Sequence, residues 1–141
     1  MEVTRDQVLA LLESDEPDFA QAAGWGPDAA EVVEELARSD DPYLASGAVY
    51  LAGLIPCDRS FAILAEAVRH PEIETRIAAA EAMRQLALGG ATAAQLSAAE
   101  PALRALLGDE DAGVRSAAQR AADQIREGEP QTRAQPGGRR R

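Results

Sequence analysis

Apolar residues recur along most of the chain at intervals of three and four, which is the period of a helix that buries one face. No segment alternates strictly between apolar and polar residues, as a half-buried strand would. The apolar stripes are Val8, Leu9, Leu11 and Leu12; Val32, Val33 and Leu36; Leu44, Ala48, Leu51 and Leu54; Phe61, Ile63, Leu64 and Val68; Ile73, Ile77, Ala80 and Met83; Leu103, Leu106 and Leu107; and Val114, Ala118, Ala121 and Ile125. The pattern predicts helices of roughly 10–15 residues joined by short turns.

Helix boundaries are marked by residues that cap helices or break them. Asp40-Asp41-Pro42 ends one stripe and starts the next, Gly89-Gly90 separates two others, and Asp58 stands where it can cap a helix. Three pairs have the spacing of a capping box, in which two side chains satisfy free backbone N–H groups reciprocally. These pairs are Thr4 with Gln7, Thr92 with Gln95, and Ser97 with Glu100. We therefore expect a helix to begin after each of these three positions.

Composition supports an all-α fold. The chain has 141 residues, a length typical of one domain, and 46% of them are hydrophobic. Alanine, the best helix former, supplies 31 residues, whereas Phe, Tyr and Trp together supply five. A β-sandwich or barrel core needs more β-branched and aromatic residues than this. The helices are expected to approach one another closely through alanine.

The second half of the chain repeats itself. Residues 70–83 align with residues 109–122 without gaps at an offset of 39, which matches Arg76 with Arg115 and Ala82 with Ala121. An earlier copy, residues 45–52, aligns with the Arg76 segment at an offset of 31 and follows Asp41-Pro42. Its arginine position is Ala45, and its register could slip by two residues. An internal repeat of this length predicts helical hairpins that stack on their neighbours.

These residues resemble the HEAT-like repeat family, in particular the short bacterial kind first described in phycobilisome lyases. The family pattern is a turn with Asp-Pro followed by a helix reading Val-Arg-x-x-Ala-x-x-Ala-Leu. Val114-Arg115 and Ala118 match it, Thr75 stands where Val is usual, and the earliest copy keeps only the Asp-Pro. The resemblance covers roughly residues 27–126. It implies an all-α, right-handed superhelical solenoid of about three antiparallel helix pairs.

The chain divides into three parts on this interpretation. Residues 1–26 form an atypical helical N-terminal cap, in which Trp25 between two glycines is either a plug of the first helix layer or an exposed anchor. Residues 27–127 form the repeat array. Residues 128–141 contain Pro, Gly and Arg without a large apolar residue, and this composition predicts a disordered tail.

The resemblance also predicts a binding surface, because the second helix of each pair lines the concave side in this family. Residues spaced i, i+3 and i+4 share one helix face, and the repeat offsets carry that face from copy to copy. The predicted concave stripe is Tyr50 and Leu54; Glu81, Arg84 and Gln85; and Arg120, Asp123 and Gln124. Glu81 would lie beside Arg120, and Arg84 beside Asp123. The stripe is either a ladder of structural ion pairs or a polar groove with Tyr50 and Leu54 as apolar anchors.

Charge is distributed unevenly. The net charge is −10, and all of it lies in residues 1–41, which carry 12 acids and two arginines. Residues 42–141 carry 12 acids and 12 arginines. An acidic surface repels phosphate backbones and anionic lipids, so we expect a basic protein partner rather than a nucleic acid or a membrane. The alternative is that the charge only keeps an alanine-rich protein in solution.

Residues that carry chemistry are scarce. Cys57 is the only cysteine and His70 the only histidine, so neither an internal disulfide nor a Cys/His zinc site can form. We expect no catalytic residue, no metal and no cofactor; Asp109-x-Asp111-x-Gly113 has the wrong spacing for a calcium loop. The N-terminus lacks the pattern of a secretory signal and no apolar run could span a bilayer, which predicts a cytoplasmic protein. HEAT-like hydroxylases need several His-Glu pairs, and HEAT-like DNA glycosylases need a basic, aromatic groove. The single histidine, the acidic charge and the five aromatic residues argue against both activities.

The sequence therefore predicts a non-catalytic scaffold or adaptor, monomeric, that presents a concave helical surface to a protein. One alternative is an acidic inhibitor or immunity-type protein that masks a basic enzyme. A second is a lyase-like accessory subunit that acts on a chromophore-bearing protein.

Overall fold

The computed structural model describes residues 3–15 and 18–128, except for the side chain of residue 23. In these ranges every regular element is helical. The elements are α1 (Arg5–Leu12), α2 (Phe19–Ala23), a short 3-10 helix (Gly26–Ala29), α3 (Ala30–Ala37), α4 (Pro42–Ala52), α5 (Asp58–Ala67), α6 (Ile73–Leu88), α7 (Ala93–Leu107) and α8 (Ala112–Glu127). The all-α prediction is confirmed for this part of the chain. The predicted tail lies outside the described residues from position 129 onward, as do residues 1, 2, 16 and 17.

The helices form two rows. Helices α3, α5 and α7 contact one another in series, and α4, α6 and α8 do the same. Each helix of the first row also contacts the next helix in the chain, to which it is joined by a turn at residues 38–41, 68–72 or 108–111. Helix α1 contacts α3 and α4, and α2 contacts α4. The N-terminal helices therefore pack against the first hairpin of the array.

The core lies between the rows and is lined by small side chains. Buried alanines occur at matching positions of the second row, at Ala48, Ala79 and Ala118, each fully inaccessible to solvent. Larger side chains such as Leu51, Met83 and Leu106 fill the space between the two rows. Alanine has little volume, so it allows the close helix approach that the composition predicts. Its burial also costs no side-chain rotamer entropy.

Helix caps establish the repeat register. Helices α4, α6 and α8 follow the N-cap residues Asp41, Glu72 and Asp111, which are spaced by 31 and 39 residues. Asp41 and Asp111 cap with their own carboxylates, which accept from backbone N–H groups at 3.0 Å. The aligned caps place Ala45 at the position of the repeat arginine, so the two-residue slip left open by the sequence does not occur.

The capping boxes at Thr4 and Thr92 form as predicted, and each reciprocal pair of hydrogen bonds is present. The third prediction, a helix start at Ser97 with Glu100, is wrong. Helix α7 continues through Ser97 and contains Pro101, because Ala99, Leu103 and Leu106 on both sides of the proline are buried on the same face. Tertiary packing thus outweighs the hydrogen bond lost at the proline.

The predicted cap at Asp58 is also wrong. The N-cap of α5 is Cys57, which makes no capping hydrogen bond, and Asp58 is the first residue of the helix itself. Ser60 stabilises this turn instead, because its buried hydroxyl donates to the carbonyl oxygen of Ile55 at 2.5 Å. The acid at the first helical position still favours the helix electrostatically.

Thr75 on α6 is a buried polar side chain at a position where the next repeat has an apolar one. Its side chain is fully buried, and its hydroxyl has no hydrogen-bond partner among the described residues. The equivalent residue 39 positions later is Val114, also fully buried. We expect Thr75→Val to raise the free energy of unfolding by about 1–2 kcal/mol, because it removes a desolvated, unpaired hydroxyl without changing side-chain volume.

Urea unfolding followed by circular dichroism measures this gain. Thr75→Ser is the matched control, since it retains the hydroxyl and removes a methyl group, and it should not stabilise the protein. A valine variant no more stable than the wild type would mean that the hydroxyl is satisfied in solution.

Candidate functional site

The predicted concave stripe lies on α4, α6 and α8, which are neighbours in the second row. Arg120 is exposed, and the other seven stripe residues, Tyr50, Leu54, Glu81, Arg84, Gln85, Asp123 and Gln124, are half-buried. Because α6 contacts both α4 and α8, residues of all three repeats are carried on adjacent helices.

One of the two predicted ion pairs forms. The guanidinium of Arg120 lies 3.4 Å from the carboxylate of Glu81 and also donates to the hydroxyl of Ser116 at 3.2 Å. Both partners are accessible to solvent, with 54% of the Arg120 side chain and 28% of the Glu81 side chain exposed. Such a pair contributes about 0–1 kcal/mol to stability. It links α6 to α8 across the stripe.

The second predicted pair, Arg84 with Asp123, does not form. Asp123 accepts instead from Gln119 at 3.0 Å and from Arg126, both on its own helix at i−4 and i+3. Arg84 consequently makes no hydrogen bond or ion pair with any residue that the structure describes, although it is half-buried. Its guanidinium is the unpaired cation at the centre of the stripe.

The apolar end of the stripe is partly used within the protein. The ring of Tyr50 packs edge-on against Phe19 of α2, with ring centroids 4.9 Å apart, and Leu54 packs against the core. Between them Gly53, at the position of Arg84 and Asp123 in the later copies, is buried against α6. Tyr50 and Leu54 therefore present only part of their surface to a ligand.

Trp25 and Cys57 both pack against the hydrophobic core of the protein. Trp25 is half-buried and packs against the core. Cys57 is half-buried with its Sγ atom 3.5 Å from the hydroxyl of Ser60.

In residues 3–15 and 18–128, no group of three or more His, Cys, Asp and Glu side chains is arranged to hold a metal ion. Over the same ranges, no helix combines the length and the apolar character that crossing a membrane requires.

A second arrangement, which the sequence did not predict, occurs at the turns between the rows. Arg76 donates from Nη1 to the carbonyl oxygens of His70 and Pro71, at 2.8 and 3.1 Å. Its Nε and Nη2 donate to the carboxylate of Asp109 in the next turn, at 2.8 and 3.3 Å. The guanidinium thus joins two successive repeats. Arg115 reproduces the first half of this pattern, with Nη1 bonded to the carbonyl oxygens of Asp109 and Glu110 at 2.8 and 3.1 Å.

Three turn residues also play one shared role. Ser39, His70 and Asp109 each accept, through the side chain, from the backbone N–H two residues later, at 3.0, 3.1 and 2.9 Å. They are spaced by 31 and 39 residues, like the caps. The sequence signal for this role was the alignment of His70 with Asp109, which indicated a shared turn position.

The surroundings of Asp109 stabilise its charged form. Burial by itself raises the pKa of this carboxyl. Hydrogen bonds from the Asp111 backbone and from Arg76, together with the positive charges of Arg76 and Arg115, outweigh burial and lower the pKa below its ordinary value. Both side chains of the Arg76–Asp109 pair are 11% exposed, which makes it the least accessible ion pair in the described part of the chain.

The turns at residues 38–41, 68–72 and 108–111 form the turn edge of the structure, and large apolar side chains are exposed beside the first two. Tyr43 is 60% exposed and Ile73 is 40% exposed, and they lie in the first turns of α4 and α6.

No protein-family model and no curated protein matches this chain. Assignment of a function therefore depends on the geometry of the stripe and of the turn edge.

Proposed function

We propose that the chain is a non-catalytic protein-binding adaptor whose helix pairs stack as a right-handed HEAT-like solenoid. The two rows of helices and the aligned caps support this architecture. The partner binds the stripe on α4, α6 and α8. The observation that carries the proposal is Arg84, a half-buried arginine without a bonding partner among the described residues, next to the Glu81–Arg120 pair. Arginine with free donors in a partly desolvated position is typical of interface hot spots.

We propose a basic partner, on the evidence of the N-terminal charge. The carboxylates of the first three helices and their turns are largely exposed, and they include Asp6, Glu13, Asp15, Asp28 and Glu31. Such a surface accelerates encounter with a cationic protein and disfavours nucleic acid. On this proposal the adaptor acts as a monomer in the cytoplasm.

The same acidic surface favours a second candidate function, an inhibitor or immunity-type protein that masks a basic enzyme. In that case the acidic helices contribute most of the interface and the stripe contributes little. The two functions differ in which charges matter, and substitution of each surface distinguishes them.

Arg84→Glu tests the adaptor function. We expect affinity purification from the host lysate, analysed by mass spectrometry, to recover the partner with the wild type and to recover about tenfold less with Arg84→Glu. The melting temperature should change by no more than a few degrees, because Arg84 has no structural partner to lose. Arg104→Glu is the matched control with the same charge change, because Arg104 lies on α7 outside the stripe and 71% of its side chain is exposed.

Equal losses with Arg84→Glu and Arg104→Glu would contradict a binding stripe, because the loss would then not depend on where the arginine lies. Retention by both variants, with loss on reversal of the acids in α1–α3, would favour the inhibitor function. Repeating the purification at high salt measures how much of the binding is electrostatic.

A further inference from the structure

A groove of about 400 Å³ lies between the ends of α3 and α5 and the turns that follow them. Its floor is apolar, with Ala37, Ile63 and Ala67, and its edges are formed by the turn residues 38–40 and 70–72 together with Glu66. It shares no residue with the stripe on α4, α6 and α8. Its occupant is indicated by the equivalent place in the next repeat.

In the next repeat the equivalent place holds a guanidinium. Arg76 lies between the turn at His70-Pro71 and the turn at Asp109, and its guanidinium donates four hydrogen bonds to two carbonyl oxygens and one carboxylate. The positions of these groups in the preceding repeat are Ser39 and Asp40 for the carbonyls, and His70 for the carboxylate.

In the groove the acceptors are present and the arginine is absent. Ala45 replaces the repeat arginine, so no guanidinium extends from α4. No donor within residues 3–15 and 18–128 bonds the carbonyl oxygens of Ser39 and Asp40. His70 replaces the carboxylate that would have balanced an internal arginine. The two halves of the Arg–Asp bridge are thus missing together, and the carbonyl pair remains open.

The charge around the groove favours a cation. Asp40, Glu66 and Glu72 supply three carboxylates, and Arg38 supplies one guanidinium, which is held by Glu66 at 3.1 Å and by Glu34 at 3.4 Å. The lining therefore has more carboxylates than cationic groups.

We propose that this groove binds an arginine side chain of a basic protein partner, in the place that the repeat arginine occupies one repeat later. The planar guanidinium directs several donors at once toward the Ser39 and Asp40 carbonyls and the carboxylates beside them. A lysine ammonium lacks this fork of donors, so the site selects arginine over lysine.

Titration of the ¹⁵N-labelled protein with Nα-acetyl-arginine amide tests this site directly. We expect NMR shifts at the amides of residues 39–41, 70 and 72, with a dissociation constant in the millimolar range expected of a single side chain. The lysine and citrulline analogues should bind at least several-fold more weakly, because one lacks the fork and the other lacks the charge. No shifts at these amides, or equal shifts with all three compounds, would overturn the proposal.

Two variants complete the test. His70→Asp restores the carboxylate that Asp109 provides in the next repeat, and we expect it to tighten arginine binding about tenfold. Ala45→Arg supplies the guanidinium from within and should abolish the shifts while the spectrum remains that of a folded protein. If Ala45→Arg does not fold, His70→Asp alone decides, since unchanged affinity in that variant contradicts the proposed geometry. Because Arg84→Glu leaves the groove intact, failure at the stripe and failure here are separate results.

Discussion

Gly53→Ala is expected to destabilise the protein by about 3 kcal/mol, at the upper end of the effect of overpacking. A Cβ atom at this position would lie 2.5 Å from the Cα atom and 2.7 Å from the carbonyl oxygen of Ala82. Both neighbours are backbone atoms of α6, so they cannot rotate away, and the two helices must separate to accommodate the methyl group. The φ of Gly53 is −68°, which any residue adopts, so the whole effect arises from the contact.

Gly47→Ala is the matched control within α4. Its Cβ atom would lie 2.9 Å from one methyl group of Leu12, the end of a flexible side chain, and the next atoms are at 3.8 Å. Alanine also replaces glycine inside a helix, where it gains about 0.5–1 kcal/mol. We expect the stability of this variant to stay within about 1 kcal/mol of the wild type in urea unfolding. Equal destabilisation by the two substitutions would show that α4 does not approach α6 as closely as the structure indicates.

The sequence predicted the elements well where local signals and packing agree. Alanine content, apolar stripes and the threonine capping boxes all indicate helices, and the described residues are helical at these places. It failed at Ser97 and Glu100, where the spacing of a capping box is present but the buried face of α7 continues past it. A capping motif is a local preference of about 1 kcal/mol, which the burial of several leucines exceeds.

The site was less predictable than the fold, because its contacts depend on distances between helices. The offset placed Glu81 beside Arg120 correctly, yet Asp123 bonds to residues of its own helix and leaves Arg84 free. The close approach at Gly53 explains part of this difference between copies. A residue that contacts neighbouring backbone has no room for a side chain, so the stripe cannot continue as a charged ladder into α4.

The turn edge was visible in the sequence only as an alignment of Arg76 with Arg115. The alignment does not show that a guanidinium joins two turns, because the acceptors are backbone carbonyls, which every residue has. The bonds show that the arginine and the aspartate are partners. The replacement of arginine by Ala45 and of aspartate by His70 therefore removes both partners of one bridge.

The second large effect is expected at the Arg76–Asp109 bridge. Asp109→Asn should lower the free energy of unfolding by about 2 kcal/mol at neutral pH, because it removes a charged acceptor from a guanidinium that is only 11% exposed. The asparagine oxygen can still accept from the backbone N–H of Asp111, so the turn itself is retained. Glu110→Gln, an exposed neighbour with the same change of charge, should have an effect close to zero.

The pH dependence distinguishes this bridge from simple packing. Because folding lowers the pKa of Asp109, the stability that this carboxylate contributes is fully present above the pKa of the unfolded carboxyl, about 3.8, and is lost as pH falls through the lower folded value. The difference in stability between the wild type and Asp109→Asn should therefore be constant between about pH 5 and 7 and shrink below pH 4. A difference that is the same at pH 3 and pH 7 would contradict a charged bridge.

A double-mutant cycle shows whether the bridge joins the repeats as a unit. Arg76→Ala removes the bonds to both turns, whereas Asp109→Asn weakens only the contact with the second turn, by removing the charge and one acceptor oxygen. We expect Arg76→Ala to cost more than Asp109→Asn, and the double variant to be about as unstable as Arg76→Ala alone. This result means that the carboxylate stabilises the fold only through the guanidinium. Additive effects would instead mean that the two residues stabilise their own turns independently, and the link between the repeats would then rest on apolar packing alone.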